Sequence, residues 1–331
     1  MGFQFMAACP SLRPHVFKTS PLLLKFMAML LGLALALWLF VWAWQKLDRP
    51  DLAQWWRAVP MWVWAAATAT WACTFILRAI RLRQEWQWKR HISLRTALHV
   101  VLLHNSAALL MPLRSGELGY PLLVRKVFDA SWPESLRSLL WLRFQDAVVL
   151  GFLALLFWPF APPVAAALIA APVLIALLAS RQYLEKLVLA CRGRVEWFGF
   201  LWHGRDRPTG WLLSLGNWLL KIAVVALLLQ VILQESISLG MQASVSAALG
   251  GEIAALLPIQ GPASLGTYET GVWLFSGLPL EQAPLLGMAA LLVHLFCLGI
   301  SLLLALLMAA VDGPAFWRAP NEKNRVDPIQ N

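Results

Sequence analysis

Residues 107–116 read AALLMPLRSG, and residues 254–261 repeat the phrase as AALLPIQG. Both stretches lie in apolar surroundings, yet each places Pro and Gly where a membrane helix would otherwise continue. Proline removes a helix hydrogen bond and glycine permits a sharp turn, so each phrase predicts a break in a helix. Breaks at membrane depth are tolerated only where they are buried in protein or line a cavity. A pair of them in the two halves of a chain is typical of a transporter's binding site.

The composition around these phrases is that of an integral membrane protein. Hydrophobic residues make up 60% of the 331 residues and charged residues only 13%, which is more apolar surface than a soluble core can absorb. Several apolar runs reach the length of about 20 residues that spans a bilayer as a helix. The net charge of +10 then indicates topology signals and attraction to anionic lipid heads rather than to nucleic acid.

We predict an all-α protein with six transmembrane helices and two re-entrant helical hairpins, arranged as two halves of inverted topology. The predicted spans are 22–44, 60–80, 138–158, 164–180, 211–233 and 284–310. The re-entrant hairpins are a first broken segment, 96–124, and a second broken segment, 243–278. The corresponding division of the chain is an N-terminus (1–21), a first repeat (22–158), a second repeat (159–310) and a tail (311–331).

The distribution of Lys and Arg supports this layout. Basic residues concentrate in the N-terminus, in a stretch that begins at Arg78 and Arg81, in the loop 181–210 and in the tail, whereas the connections 159–163, 234–242 and 279–283 have none. The positive-inside rule then places both termini in the cytoplasm. Connections rich in Lys and Arg alternate correctly with connections that have none only if each broken segment enters and leaves the membrane on the same side. Three crossings per half make the second half inverted relative to the first.

The first broken segment carries side chains suited to an anionic head group. A helix that begins after the tip exposes unpaired N–H groups, which attract anions. Arg114 adds a planar donor fork that suits phosphate, and Glu117 could pair with it or bind a coupling cation. The alternative is a cytoplasmic loop with a surface ion pair. The residues assigned to this tip are Asn105, Pro112, Arg114, Gly116 and Glu117.

The second broken segment has no arginine, because Gln260 stands in the place of Arg114. Glu252 and Glu269 are its main charged groups, and an ionisable group at membrane depth is a functional hypothesis by default. Alternatively, Glu269 faces the outer aqueous edge and only forms hydrogen bonds. The other residues assigned to this tip are Pro258, Gly261, Gly266 and Tyr268.

Three predicted spans contribute further polar candidates. Arg143 and Asp146 are three residues apart on one helix face, so we expect them to pair in part. Lys221 lies near the middle of a predicted span, where its charge needs a carboxylate partner. The candidate partners are Asp146, Glu252 and Glu269. His294 is either a proton relay or a packed neutral imidazole.

Motifs of enzymes are missing from the sequence. It contains no P-loop, no HExxH, no GxSxG and no Asp-rich metal motif, so we predict a protein that is not an enzyme and uses neither cofactor nor metal. The four cysteines are scattered and form no metal-binding or disulfide pattern.

Three stretches in order resemble the transmembrane region of lysylphosphatidylglycerol synthases and their stand-alone membrane relatives. They are the stretch from Asn105 to Glu117, the Arg143-Phe-Gln-Asp146 motif, and the turn from Pro258 to Glu269. The resemblance covers about residues 22–310 and implies translocation of a lipid between leaflets. The chain departs from the family at 119–121 and at His294, where members often have arginine. We therefore expect a stand-alone relative that lacks the soluble aminoacyl-transferring domain.

We therefore expect a lipid flippase or transporter of the bacterial inner membrane. The head group would enter near Arg114 and Arg143, pass Lys221 and leave near Glu269. Aminoacylated phosphatidylglycerol, a glycolipid, an isoprenoid-linked sugar and a hopanoid are all candidate substrates. The expected partners are membrane lipids, with a separately encoded lipid-modifying enzyme or a second copy of the chain as further candidates. The alternatives are a membrane-embedded lipid-linked glycosyl or aminoacyl transferase component, or a non-catalytic partner of such an enzyme.

Overall fold

A computed structural model gives the fold of the chain and describes residues 52–87, 91–157, 208–257 and 262–312. Within these ranges every regular element is helical, which confirms the predicted all-α class. Several predicted features lie outside the described residues. They are the spans 22–44 and 164–180, both terminal segments, the loop 181–210 up to residue 207, Pro258 and Gly261.

After a short helix that is found only in the described part of the first half, the described parts of the two halves repeat the same order of elements: a long helix, a shorter helix, a turn, a ten-residue helix and a second long helix. The first half contains α1 (Leu52–Ala58), α2 (Met61–Trp86), α3 (Leu94–Leu110), a first turn (Pro112–Leu118, 3₁₀), α4 (Gly119–Phe128) and α5 (Trp132–Leu156). The second half contains α6 (Pro208–Leu233), α7 (Met241–Ala254), a second turn (262–266), α8 (Thr267–Ser276) and α9 (Ala283–Asp312).

Four helices are long and apolar enough to cross a membrane: Met61–Trp86, Trp132–Leu156, Thr209–Leu233 and Leu280–Val311. They correspond to the predicted spans 60–80, 138–158, 211–233 and 284–310. The described chain is thus that of a multi-pass membrane protein.

The end of α2 corrects one detail of the predicted layout. The helix continues to Trp86, so Arg78 and Arg81 lie within it rather than in a basic connection. The helix can continue past residue 80 because both guanidinium groups find partners on neighbouring helices, as described below. The remaining basic residues of this region still support the charge argument.

The first broken segment folds back on itself at the repeated phrase. Pro112 disfavours a helical conformation at Met111, which is extended with φ −90° and ψ 132°, so α3 ends there. The first turn then packs against α3. A β-carbon at Gly116 would overlap the backbone of Ala107, so this close return requires glycine.

The second broken segment folds back through a tighter contact between α7 and α8. A β-carbon at Gly271 would overlap the carbonyl oxygen of Gly250 and would lie 2.6 Å from the β-carbon of Ala254. The chain reverses through Gly266, whose φ of +83° lies in the region that favours glycine.

The halves pack against each other along their long helices. At the centre α2 contacts α6, while α9 contacts both α2 and α3, and α7 contacts α5. The first turn also contacts the residues Pro262–Ser264 of the second turn. The two broken segments therefore meet inside the helix bundle, where each is covered by elements of the other half.

The glycine contact between α7 and α8 generates a stability prediction. Gly271→Ala should lower the free energy of unfolding by about 1–3 kcal/mol, because an added methyl group meets backbone that cannot move aside. The matched control is Gly287→Ala on α9, where a β-carbon would meet no atom within 4 Å. Unfolding of the purified chain in detergent by added SDS measures both, and equal midpoints would contradict the packing.

Candidate functional site

A cavity of about 130 Å³ lies where the two broken segments meet. It is about ten times the ~10–15 Å³ that one water molecule needs, so it has room for a polar group with several hydrogen-bond partners. Both halves line it, through α2, α3, the first turn and α5 on one side and through α6, α7, the second turn, α8 and α9 on the other. Its charged lining residues are Arg78, Glu117, Arg143, Asp146, Lys221 and Glu252.

Glu117 of the first turn binds Arg143 of α5. Arg143 Nη2 lies 2.7 Å from Glu117 Oε1 and 2.7 Å from Oε2, and Arg143 Nε lies 3.1 Å from Oε2. His104 of α3 completes the group, since its Nε2 is 3.2 Å from Arg143 Nη2 and 3.4 Å from Glu117 Oε2. From the sequence, Glu117 could pair with Arg114 or bind a coupling cation, and the side chain of Arg114 lies outside the described residues. The observed pair connects the first turn to the long helix that follows it.

Asp146 of α5 joins three long helices. Its Oδ1 accepts a hydrogen bond from Arg81 Nη1 of α2 at 2.6 Å, from Ser214 Oγ of α6 at 2.8 Å and from Trp218 Nε1 at 3.3 Å. The pairing predicted between Arg143 and Asp146 is present at the longer distance of 3.8 Å. Arg81 is therefore the main counter-ion of Asp146.

Lys221 of α6 binds Glu252 of α7, with 2.6 Å between Nζ and Oε2. Among the three candidate partners, this is the one that the structure brings within reach. The ammonium group also lies 5.1 Å from the ring centroid of Trp71 and 4.9 Å from that of Trp218, within the range of cation–π attraction. Because the Trp218 indole also donates to Asp146, it connects this pair to the Asp146 cluster.

Glu269 divides its two oxygens between a helix end and a neighbouring helix. Oε2 accepts a hydrogen bond from the backbone N–H of Gly266 at 2.6 Å and so caps α8. Oε1 lies 2.8 Å from Nδ1 of His294 on α9, and the His294 ring stacks on Tyr268 with 4.1 Å between centroids. Glu269 thereby fixes the second turn to the following long helix.

The structure brings most of the predicted site residues to this cavity. Seven line it: Asn105, Glu117, Arg143, Asp146, Lys221, Glu252 and Tyr268. Glu269 contacts the lining residue His294 but is not itself part of the lining. Gly116 and Gly266 shape the turns, while the side chains of Pro112 and Arg114 are not described.

Four cavity residues on α2 escaped the sequence analysis as a group: Trp71, Thr74, Phe75 and Arg78. A signal for them exists in the sequence. Positions 71, 74, 75, 78 and 81 are spaced by three or four residues, which places them on one face of a helix. Because Arg78 and Arg81 also fit the pattern of a basic connection, their place in this stripe was not predicted. Within the part of the chain that the structure describes, no three His, Cys, Asp or Glu side chains are grouped as metal ligands.

The Asp146 cluster generates a second stability prediction. Asp146→Asn should lower the free energy of unfolding by about 3–5 kcal/mol, because it leaves the guanidinium of Arg81 buried without a counter-ion. Only 5% of Arg81 is exposed. Glu281→Gln, at an exposed position before α9, is the matched control. SDS-induced unfolding in detergent provides the measurement, and a loss no larger than that of the control would argue against the ion pair.

Sequence comparison agrees with this architecture. The family described as the lysylphosphatidylglycerol synthase TM region matches residues 29–310, which include all of the cavity residues. No curated protein and no solved structure matches the chain. The family match extends over most of the 331 residues and agrees with the resemblance of the three stretches. The chain belongs to the lysylphosphatidylglycerol synthase transmembrane-region family, and its role concerns membrane lipids.

Proposed function

We propose that this protein is a flippase that moves a polar lipid head group between the leaflets of the bacterial inner membrane through the cavity. The observation that carries the proposal is the position of the charged side chains. Six of them, drawn from both halves, line one cavity among helices that are long enough to span a bilayer. A purely structural role would need only mutual pairing, whereas here the paired groups surround a space.

The polar head group is the part of the lipid that meets the main energy barrier in the bilayer. Moving a charged or strongly polar group through hydrocarbon without partners costs many kcal/mol. A lining of ion pairs reduces that cost, because each pair can exchange its internal contact for one with the head group. The acyl chains would meanwhile stay in the bilayer beside the helices.

The two turns suggest how access would alternate between leaflets. Each turn is held to the following long helix by a glutamate: Glu117 to Arg143 and Glu269 to His294. Releasing one turn would open the cavity on one side while the other turn stays closed. Since the sequence has no nucleotide-binding motif, the driving force would come from a lipid or ion gradient or from the membrane potential. The potential supplies about 2.3 kcal/mol per charge per 100 mV.

The proposal includes the topology expected from the basic residues. Both broken segments would be re-entrant, the first from the cytoplasm and the second from the outside, in halves of inverted topology with both termini in the cytoplasm. The return of each segment onto itself supports this arrangement, because a hairpin has both of its ends on one side.

Cysteine labelling tests this topology. In a variant whose native cysteines are replaced by Ser, single cysteines at His91 and Asp129 should both react with a membrane-impermeant maleimide from the cytoplasmic face. Single cysteines at Gly240 and Gly277 should both react from the opposite face, which serves as the internal control. Labelling of positions 91 and 129 from opposite faces would show that the first segment crosses the membrane.

A flipping assay tests the function itself. Dithionite quenches only the fluorescent lipid in the outer leaflet of a liposome. Liposomes that contain the purified protein should therefore lose the fluorescence of their inner-leaflet lipid faster than empty liposomes. Glu117→Gln and Lys221→Gln should each slow flipping tenfold or more, since a tenfold change needs only about 1.4 kcal/mol of barrier. Arg114→Ala tests the predicted entry residue in the same assay.

Glu281→Gln is the control, because it removes a charge at an exposed position outside the cavity. Flipping by the Glu117 and Lys221 variants at the rate of this control would overturn the proposed path. Equal rates with and without the wild-type protein, over a set of anionic, zwitterionic and glycosylated lipids, would overturn the proposed function.

A further inference from the structure

The two halves repeat a polar contact between their first long helix and the next helix. In the first half, Arg78 Nη1 of α2 donates to Asn105 Oδ1 of α3 at 3.0 Å. In the second half, Lys221 Nζ of α6 donates to Glu252 Oε2 of α7 at 2.6 Å. The acceptors occupy corresponding places, since Asn105 stands seven residues before Pro112 and Glu252 stands six residues before Pro258. Both contacts lie on the cavity.

The two acceptors differ in charge. Glu252 neutralises Lys221, whereas Asn105 offers Arg78 only a neutral amide oxygen. A guanidinium has five N–H donors, and this hydrogen bond uses one of them. The guanidinium also lies near the ring of Phe75, whose centroid is 5.8 Å from Arg78 Cζ. Among the described residues, no carboxylate lies within 4 Å of the Arg78 guanidinium.

The acids nearest to this part of the cavity already have closer counter-ions. Asp146 is 2.6 Å from Arg81, and Glu117 is 2.7 Å from Arg143. With Lys221 and Glu252, each of these three carboxylates is matched by its own cation. Arg78 is thus a fourth cation of the described site, and it faces the cavity without an acid of its own.

A second polar atom on the same cavity lacks a partner. No donor among the described residues reaches Asn217 Oδ1, although only 4% of Asn217 is exposed. A buried acceptor left without a hydrogen bond costs about 1–3 kcal/mol. A ligand that brings a hydroxyl donor would satisfy it.

We propose that Arg78 binds an anionic oxygen of the transported lipid, so that the substrate carries a phosphate or similar oxyanion together with a hydroxylated head group. This inference rests on the proposed function and names its substrate class. A phosphate or similar oxyanion accepts two parallel N–H donors from a guanidinium, which a neutral sugar hydroxyl cannot do equally well. A neutral glycolipid or a hopanoid would leave the charge of Arg78 unmatched.

Binding to the purified full-length chain in a neutral detergent tests the inference. The probes are dihexanoylphosphatidylglycerol, dihexanoylglycerol with the same chains but no phosphate, and inorganic phosphate, each titrated by calorimetry. Wild type should bind the first probe at least tenfold more tightly than the other two. Arg78→Gln should weaken that binding about tenfold to a hundredfold, as expected for a charge-assisted hydrogen bond.

Asn105→Asp is the sharper variant, because it keeps Arg78 and places a carboxylate where the second half has Glu252. It should fold with unchanged or higher stability and still lose the binding of the anionic probe. Arg57→Gln, an exposed arginine on α1, is the control for loss of one positive charge. Wild-type binding by both Arg78→Gln and Asn105→Asp would overturn the inference, as would equal wild-type affinity for the two lipid probes.

The remaining outcomes are also decisive. Inorganic phosphate bound as tightly as the lipid would overturn the assignment to a lipid head group, and so would failure of the wild-type protein to bind the anionic probe. Arg78-dependent binding without any flipping in liposomes would support the anion site and reject the flippase. Flipping at the wild-type rate by both Arg78→Gln and Asn105→Asp would support the flippase and reject the anion site.

Discussion

Arg81 is enclosed among apolar helices, and the carboxylate that balances its charge there is that of Asp146, 2.6 Å away. Such a pair adds little net stability compared with apolar packing, but separating it costs several kcal/mol, so it fixes the register of the helices that carry it. Asp146 also accepts hydrogen bonds from Ser214 and Trp218 of α6. One carboxylate of α5 therefore sets the mutual positions of α2, α5 and α6, and the rest of the cavity is built on that frame.

The broken segments depend on the same frame for a different reason. A helix that stops within an apolar environment leaves backbone groups without intrahelical partners, and these groups must be covered by protein or face a polar space. Here the two turns contact each other and adjoin the cavity, while glycines allow each segment to return close to its own helix. Neither broken segment could occupy this place without the other half.

Features that depend on local sequence could be predicted, whereas features that depend on packing between distant residues could not. The long apolar helices and the end of α3 before Pro112 follow from local composition, and both agree with the structure. The need of Lys221 for a carboxylate is also local, but the choice of Glu252 among three acids depends on packing between α6 and α7. The helical spacing of positions 71–81 is a local signal that α2 continues through Arg81, but the partner of Arg81 lies 65 residues away and cannot be identified from local sequence. The same limit explains why the contact of Glu117 with Arg143, 26 residues away, could not be predicted.

The links that hold the two turns are equivalent in position but unequal in strength. Glu117 and Arg143 are 26 residues apart, and Glu269 and His294 are 25 residues apart, so each joins a turn to the next long helix in the same way. The guanidinium is always charged and contacts both carboxylate oxygens, whereas the imidazole contacts a single oxygen of Glu269. The other oxygen of Glu269 caps α8 and would remain engaged if His294 let go. If access through this cavity alternates as proposed, separation at the second turn breaks fewer charged contacts than separation at the first turn and is therefore the less costly event.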